Sequence, residues 1–231
     1  MKKITDKIIY EDEQIIVCHK NAGTSVQTKN IRQMDMEREL LNYRAQKNEK
    51  AEIYVVHRLD QPVEGVIVFA KNKEAAASLS KQLQNNAMTK EYLAVVDNGF
   101  SETSVHLEDY LLKNQKENCS KVVSKAVKGS KLAVLDVKVL ENKLDKQLVK
   151  VNLHTGRHHQ IRVQLSNAGC SIVGDVKYNP KYLGCRGNIQ TALCAYKLSF
   201  CHPFTKKEMQ FNVLPECEAF KEFNIDLEKI V

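Results

Sequence analysis

A carboxylate can attack an electrophilic carbon or remove a proton, and it does so most readily when a loop holds it against a buried framework. Asp60 stands in that setting. It closes His57-Arg58-Leu59-Asp60, preceded by the apolar approach Val55-Val56 and followed by Gln61-Pro62, Gly65 and the uncharged run Val66–Ala70. A short apolar run of this kind reads as a buried strand. Pro and Gly should interrupt strand pairing before it, which leaves Asp60 on a loop at the mouth of a sheet. An Arg and an Asp two residues apart near a turn also fit a local ion pair or an Asx-turn, so this stretch alone leaves both readings open.

A second chemically able stretch is Gly156-Arg157-His158-His159-Gln160-Ile161-Arg162-Val163. Ile161, Leu165 and Ala168 recur at helical spacing and Gly169 is a natural C-cap, which predicts a helix. His158, Arg162 and Leu165 then share a face with Ile161. An arginine on a buried face needs an acidic partner to offset its desolvation, and Asp60 is the candidate. A hydrolase built on His57 and Asp60 would need a serine or cysteine nucleophile motif such as G-x-S-x-G. None is present, so the residues themselves give His57 a structural reading.

The elements that must position these groups follow from periodicity. Residues 8–20 predict two strands around an acidic turn, with a second turn at Asn21-Ala22-Gly23. Asp35 is placed to cap a helix carrying Met36, Leu40, Leu41 and Tyr43, with Glu37 and Glu39 in its first turn. Residues 44–52 read as polar and exposed. Asn72 is placed to cap a second helix with Ala75, Leu79, Leu83 and Ala87 on its apolar face. Thr89–Val96 predicts a strand closed by Asp97-Asn98-Gly99. Residues 101–131 show little apolar pattern and read as a solvated loop. Its lysines Lys113, Lys116, Lys121, Lys125, Lys128 and Lys131 could together form a phosphate-contacting arm. Two alternating segments, 133–139 and 149–153, predict a β-hairpin. Ala192 to Phe200 alternates as a strand that turns at His202-Pro203, and Met209–Val213 returns beside it. Residues 216–231 predict a terminal helix with Phe220, Phe223 and Leu227 inward.

Composition narrows the class. The chain has 231 residues, a net charge of +7 and no tryptophan. That charge is compatible with a polyanionic partner without requiring one, and so few aromatic residues argue against a broad base-stacking surface. No apolar run approaches the ~20 residues of a membrane span, and Met1-Lys2-Lys3 opens no signal-like region, so a cytoplasmic location and no membrane partner are expected. The seven cysteines are scattered without a C-x-x-C pair, an arrangement that suits buried apolar fillers better than a disulfide framework or a zinc site. No repeat, low-complexity segment or linker is visible, and one domain spanning 1–231 is expected.

In three blocks the chain resembles the RluA-type pseudouridine synthases, which isomerise selected uridines in ribosomal or transfer RNA. The blocks are His57-Arg58-Leu59-Asp60 with Gly65 and V-I-V-F-A-K; Lys90-Glu91-Tyr92-Leu93-Ala94; and Gly156–Val163 followed by Gly174-Asp175. Weaker echoes are Lys20-Asn21-Ala22-Gly23 and Leu193-Cys194-Ala195 with His202-Pro203. The resemblance covers nearly the whole chain, in order, and a catalytic domain without the family's frequent S4-like RNA-binding appendage is expected.

It implies an α/β fold of α+β type: a mainly antiparallel, curved sheet flanked by helices, with the RNA cleft across it. It implies Asp60 as the catalytic aspartate, Tyr92 packed on the target base and Arg162 paired with the aspartate. Arg58 would stand near the vacated base stack and Leu193 would wall the pocket. His57, Arg157, His159 and Gln160 fall in the same motifs and are expected at the substrate site. The reaction breaks N1–C1′ of uridine, rotates the base and rejoins it through C5. It calls for an ionised carboxylate and a base drawn out of its stack, and for neither cofactor nor metal. The implied partner is structured RNA, bound by a monomer. The sequence departs from the family at Asn21, at Val63-Glu64 in place of Thr-Ser, and at His158 and Gln164. Glu64 sets a second negative charge near Asp60, which keeps open an inactive or weak paralogue that binds or folds RNA.

Overall fold

The computed structural model describes residues 4–30, 32–97, 99–187 and 189–230; the predicted turn position Asn98 and the opening Met1-Lys2-Lys3 lie outside them. Local signals start most elements. Ile8–Glu11 (β1) and Ile15–Lys20 (β2) form an antiparallel hairpin around Asp12. The Asp12 carboxylate accepts the N–H groups of Gln14 and Ile15 at 2.7 and 2.9 Å, which is what makes the acidic turn. Met36–Gln46 (α1) starts at Asp35, whose side chain accepts from Arg38 N at 2.9 Å and Thr28 N at 2.8 Å. Tyr54–Val55 (β3) and the fully buried Glu64–Ala70 (β4) follow. Lys73–Gln84 (α2) is capped by the Asn72 side chain on Ala75 N. The helix ends before Ala87, which is exposed, and Met88 takes the buried position.

Thr89–Asp97 (β5) leads to Ser104–Asn114 (β6), Cys119–Val123 (β7), Lys131–Lys143 (β8) and Lys146–Leu153 (β9). Gln160–Asn167 (α3), Leu193–Cys201 (β10) and Glu208–Asn212 (β11) complete the regular frame, with the short Leu227–Ile230 (α4) near the end. The class is α+β. The chain divides into two compact units, Met1–Lys90 with Ala195–Val213, and Glu91–Cys194 with Leu214–Val231.

In the first unit the strand order is β1-β2-β4-β10, with β3 on β4 and β11 on β10. Its core gathers Ile15, Val17, Val66, Val68, Leu198 and Phe200 from the strands under Ala75 and Leu79 of α2. In the second unit the order is β5-β9-β8-β6-β7, each neighbour antiparallel. Leu111, Ala133 and Val163 pack together there, bringing α3 against the strands.

Four expectations are corrected. Gly65 lies inside β4 opposite Lys20 rather than interrupting it. At φ +131° it occupies a conformation only glycine takes readily, and a Cβ would stand 2.4 Å from the Ala195 carbonyl oxygen. The stretch 101–131 is largely strand: Lys113 lies in β6, Lys121 in β7, and Lys131 opens β8. The loop reading survives there only in the turns, at Lys116 between β6 and β7 and at Lys125 and Lys128 between β7 and β8. Within the polar 44–52 segment Arg44 is buried, donating to the Glu52 and Lys71 carbonyls and to Glu49. The terminal stretch is a 3₁₀ turn at Glu218–Glu222 followed by α4; Phe220 and Phe223 are buried from that turn, and Leu227 is half-buried.

Candidate active site

Asp60 is half-buried and begins a turn closed by Val63 N on its carbonyl at 3.1 Å. The turn is sewn to the Asn21–Thr24 segment. Gln61 O accepts from Gly23 N at 2.8 Å, and Gln61 Nε2 donates to Gly23 O at 3.1 Å. Between the two segments lies Lys20, the last residue of β2 and wholly buried. Its ammonium donates to the carbonyls of Thr24 (2.7 Å), Asn21 (3.1 Å) and Gln61 (3.1 Å), which uses all three of its hydrogens. Burial pulls its pKa down to about 7, against the opposing charges of Asp60 and Glu64. Glu64 is itself buried, so its negative charge acts on a buried ammonium. Lys20 is not among the site residues expected from the sequence. The available signal was a lysine ending an apolar strand just before a glycine turn.

His57 points inward: its Nε2 accepts from Val68 N at 3.3 Å. Burial, with Lys90 nearby, lowers its pKa to about 3, so the ring is neutral, as an acceptor nitrogen must be. Arg58 is exposed and forms no hydrogen bond or ion pair among the described residues.

The remaining predicted site residues belong to the second unit. Tyr92 is buried in β5 opposite Val151, and Leu193, also buried, opens β10. Arg162 on α3 is buried, and the carboxylate placed on it is Asp175 of the Gly174-Asp175 motif, a partner the residue reading did not name. Arg162 Nε and Nη2 meet the two carboxylate oxygens at 2.7 and 2.8 Å, the bidentate form of the pair. Asp175 also accepts from Lys177 N and Tyr178 N. The Arg162 guanidinium stands 5.1 Å from the Tyr178 ring centre. A guanidinium carries five N–H donors, so Asp175 does not exhaust it.

Around this pair runs a chain of rings. His158 lies before α3 rather than on its face, and stacks on His159 with ring centres 3.8 Å apart. His159 holds the left-handed position at φ 54° and meets the Tyr178 hydroxyl through Nδ1 at 2.7 Å. That hydroxyl accepts from Ser120 N, and burial raises the Tyr178 pKa to about 12. Ser120 Oγ in turn donates to His158 O at 2.8 Å. Gln160 accepts from Arg157 N and Thr155 Oγ1 and donates to Val134 O, while Arg157 Nε donates to Leu132 O. Gln164 donates to the Asp109 carboxylate at 2.8 Å. These contacts fasten the start of α3 to β6, β7 and β8.

The six lysines Lys113, Lys116, Lys121, Lys125, Lys128 and Lys131 are all exposed, but they ride on the β6–β7 hairpin, its turns and the start of β8 rather than on one loop. In the hairpin Lys113 pairs with Ser120 and Leu112 with Lys121. Lys116 sits at the hairpin tip, where its backbone N–H donates to Asn114 Oδ1 at 3.0 Å. That bond fixes the Lys116 backbone in the turn. Lys177 Nζ on Asn118 O ties the same tip to the Asp175 loop. Among the described residues, no group of three His, Cys, Asp or Glu is arranged to hold a metal ion, and no helix is long and apolar enough to cross a membrane.

Comparison with known proteins agrees with this α+β frame. The family described as RNA pseudouridylate synthase matches residues 14–167. The ribosomal large subunit pseudouridine synthase C of Escherichia coli K12 is 32% identical over 224 residues, covering 94% of this chain and 69% of that protein. Uncharacterized RNA pseudouridine synthases of Helicobacter pylori 26695 and Bacillus subtilis 168 are 31% and 37% identical. These alignments cover 90% and 70% of this chain, and 65% and 52% of those proteins. The chain thus spans between half and about two thirds of the length of those relatives. In fold it is similar to human RNA pseudouridylate synthase domain containing 4, with a TM-score of 0.75 at 23% identity over 92% of this chain and 90% of that one. The chain belongs to the RNA pseudouridylate synthase family.

Proposed function

We propose that this protein is an RNA pseudouridine synthase in which Asp60 performs the chemistry on a uridine drawn out of its stack. The observation that carries the reading is the match of the family across residues 14–167, which contain the Asp60, Tyr92 and Arg162 motifs. In this reading the Asp60 carboxylate attacks C1′ or takes the proton from C2′, N1–C1′ breaks, and the freed uracil turns and rejoins through C5. Tyr92 packs on the base and Leu193 walls it. Arg162 keeps Asp60 charged while remaining anchored by Asp175. Arg58, Arg157, His159 and Gln160 line the approach, and the exposed lysines of the β6–β7 hairpin and its turns take phosphates. Residues 1–231 act as one catalytic domain, as a monomer in the cytoplasm. Large-subunit ribosomal RNA is the first substrate to test, since the Escherichia coli relative is named for it; transfer RNA is the second.

RNA labelled with tritium at uridine C5 tests the reading. The wild-type chain is expected to release tritium without added cofactor, and Asp60→Asn, nearly isosteric, to stop release while RNA binding persists. The buried Glu64 favours the other reading, an RNA-binding paralogue without turnover. Binding without release from either RNA class would establish that reading instead.

A further inference from the structure

The loop that carries Asp60 is preceded by a cavity of whose lining the proposed chemistry uses Arg58 alone. It has a volume of about 300 Å³ and lies within the first unit, lined by Gln27, Glu37 and the run 53–58. Pockets for drug-sized ligands begin near this size, so a single nucleobase fits within it. Gln27, Glu37, Tyr54, His57 and Arg58 are its polar lining residues. Gln27 Nε2 donates to Glu37 Oε2 at 2.9 Å, which fixes the carboxylate. Glu37 Oε1 forms no hydrogen bond among the described residues. Arg58 contributes a planar guanidinium with no partner among them.

The chemistry selects the occupant. A carboxylate only accepts hydrogen bonds and repels phosphate, so the cavity does not take the RNA backbone. It takes a base edge rich in N–H groups. Guanine presents N1–H and the 2-amino group side by side, a pair of donors that one carboxylate accepts in the same fork geometry it uses toward arginine. Adenine, cytosine and uracil lack that pair. An arginine plane stacks on bases of unpaired RNA. Arg58 precedes Asp60 by two residues, at most about 7 Å of backbone, so a base held here is a near neighbour of the nucleotide at Asp60.

We propose that this cavity is a recognition subsite for a guanine close to the target uridine, read by the Glu37 carboxylate and covered by Arg58. The inference rests on the proposed RNA substrate. The test is an NMR titration of the isotope-labelled chain with GMP, AMP, CMP, UMP and IMP, following the backbone amides of residues 53–58. GMP is expected to bind at least about tenfold more tightly than AMP, CMP or UMP. IMP, which lacks the 2-amino group, should bind about tenfold more weakly than GMP, the loss of one base-edge hydrogen bond. Glu37→Gln keeps the shape and should erase the preference for guanine with the rest of the spectrum unchanged. Equal response to all five nucleotides, no response at millimolar concentration, or a preference that survives Glu37→Gln would each overturn the proposal. The titration needs no turnover. Selective GMP binding without tritium release refutes the proposed activity alone, and tritium release without guanine selectivity refutes the subsite alone.

Discussion

The Asp60 loop and the Arg162 corner are secured by opposite means. At the loop, the buried Lys20 gives its hydrogens to three neutral carbonyls, with carboxylate charge near it but no carboxylate oxygen bonded to its nitrogen among the described residues. At the corner, Arg162 is matched oxygen for nitrogen by Asp175 and stands beside an aromatic ring. A buried charge without a bonded counter-charge is costly and yields its proton near neutrality, whereas an arginine in a bidentate pair stays charged throughout. The Asp60 loop is therefore held by a charge that titrates near neutrality, and the corner by a guanidinium that does not.

The contrast breaks most visibly at Asp175. Asp175→Asn keeps the shape but removes the carboxylate that meets the buried guanidinium at two nitrogens, and should cost about 3–5 kcal/mol in urea unfolding at pH 7. A loss below about 1 kcal/mol would mean that Asp175 does not hold the corner. Lys20→Met is expected to cost about 1–3 kcal/mol, because it leaves three carbonyls without their donor. Its pH dependence has a definite sign. The unfolded lysine keeps its proton up to about 10.5 and the folded one loses it near 7, so wild-type stability rises with pH between those values. The gap between wild type and Lys20→Met should widen from pH 7 to 9; a constant gap would place the ammonium in a wetter, better-compensated setting.

His57 sharpens the same point on the acid side. Unfolded it takes a proton below about 6.5, folded only near 3, so its contribution to stability is lost as pH falls through that window. Wild type should lose up to about 1.4 kcal/mol per pH unit more than His57→Gln between pH 6 and 5. Parallel curves would show that the ring accepts a proton in place. The smallest effect on stability is expected at the hairpin lysines. Neutralising Lys116, Lys121 and Lys125 should leave stability within about 0.5 kcal/mol. It should lower the slope of log RNA affinity against log salt by about one unit per lost phosphate contact. An unchanged slope would make them ordinary solvated side chains.

By itself the sequence determined what short-range physics controls. Asp35 and Asn72 cap α1 and α2 because a side chain three residues away from an unpaired N–H can reach it in any context. The apolar run of β4 and the alternation of β8 and β9 announce burial, and Asp12 makes its turn from its own neighbours. The ordered motifs were likewise legible as a family. Only the tertiary structure decided β6 and β7, because their residues, exposed and half-buried in turn, carry lysines, glutamates and asparagines; it is pairing with β8, from Ser104–Lys138 to Leu111–Lys131, that makes β6 a strand. The same holds for Arg44 and Lys20, polar side chains made buriable by carbonyls from segments far along the chain. It holds for Arg162, whose demand for a carboxylate was plain from its helix face. That Asp175 answers it depends on how the chain after Gly169 turns back. A charged group's burial is set by all the dipoles that close around it, and those arrive from sequence distances that periodicity does not reach.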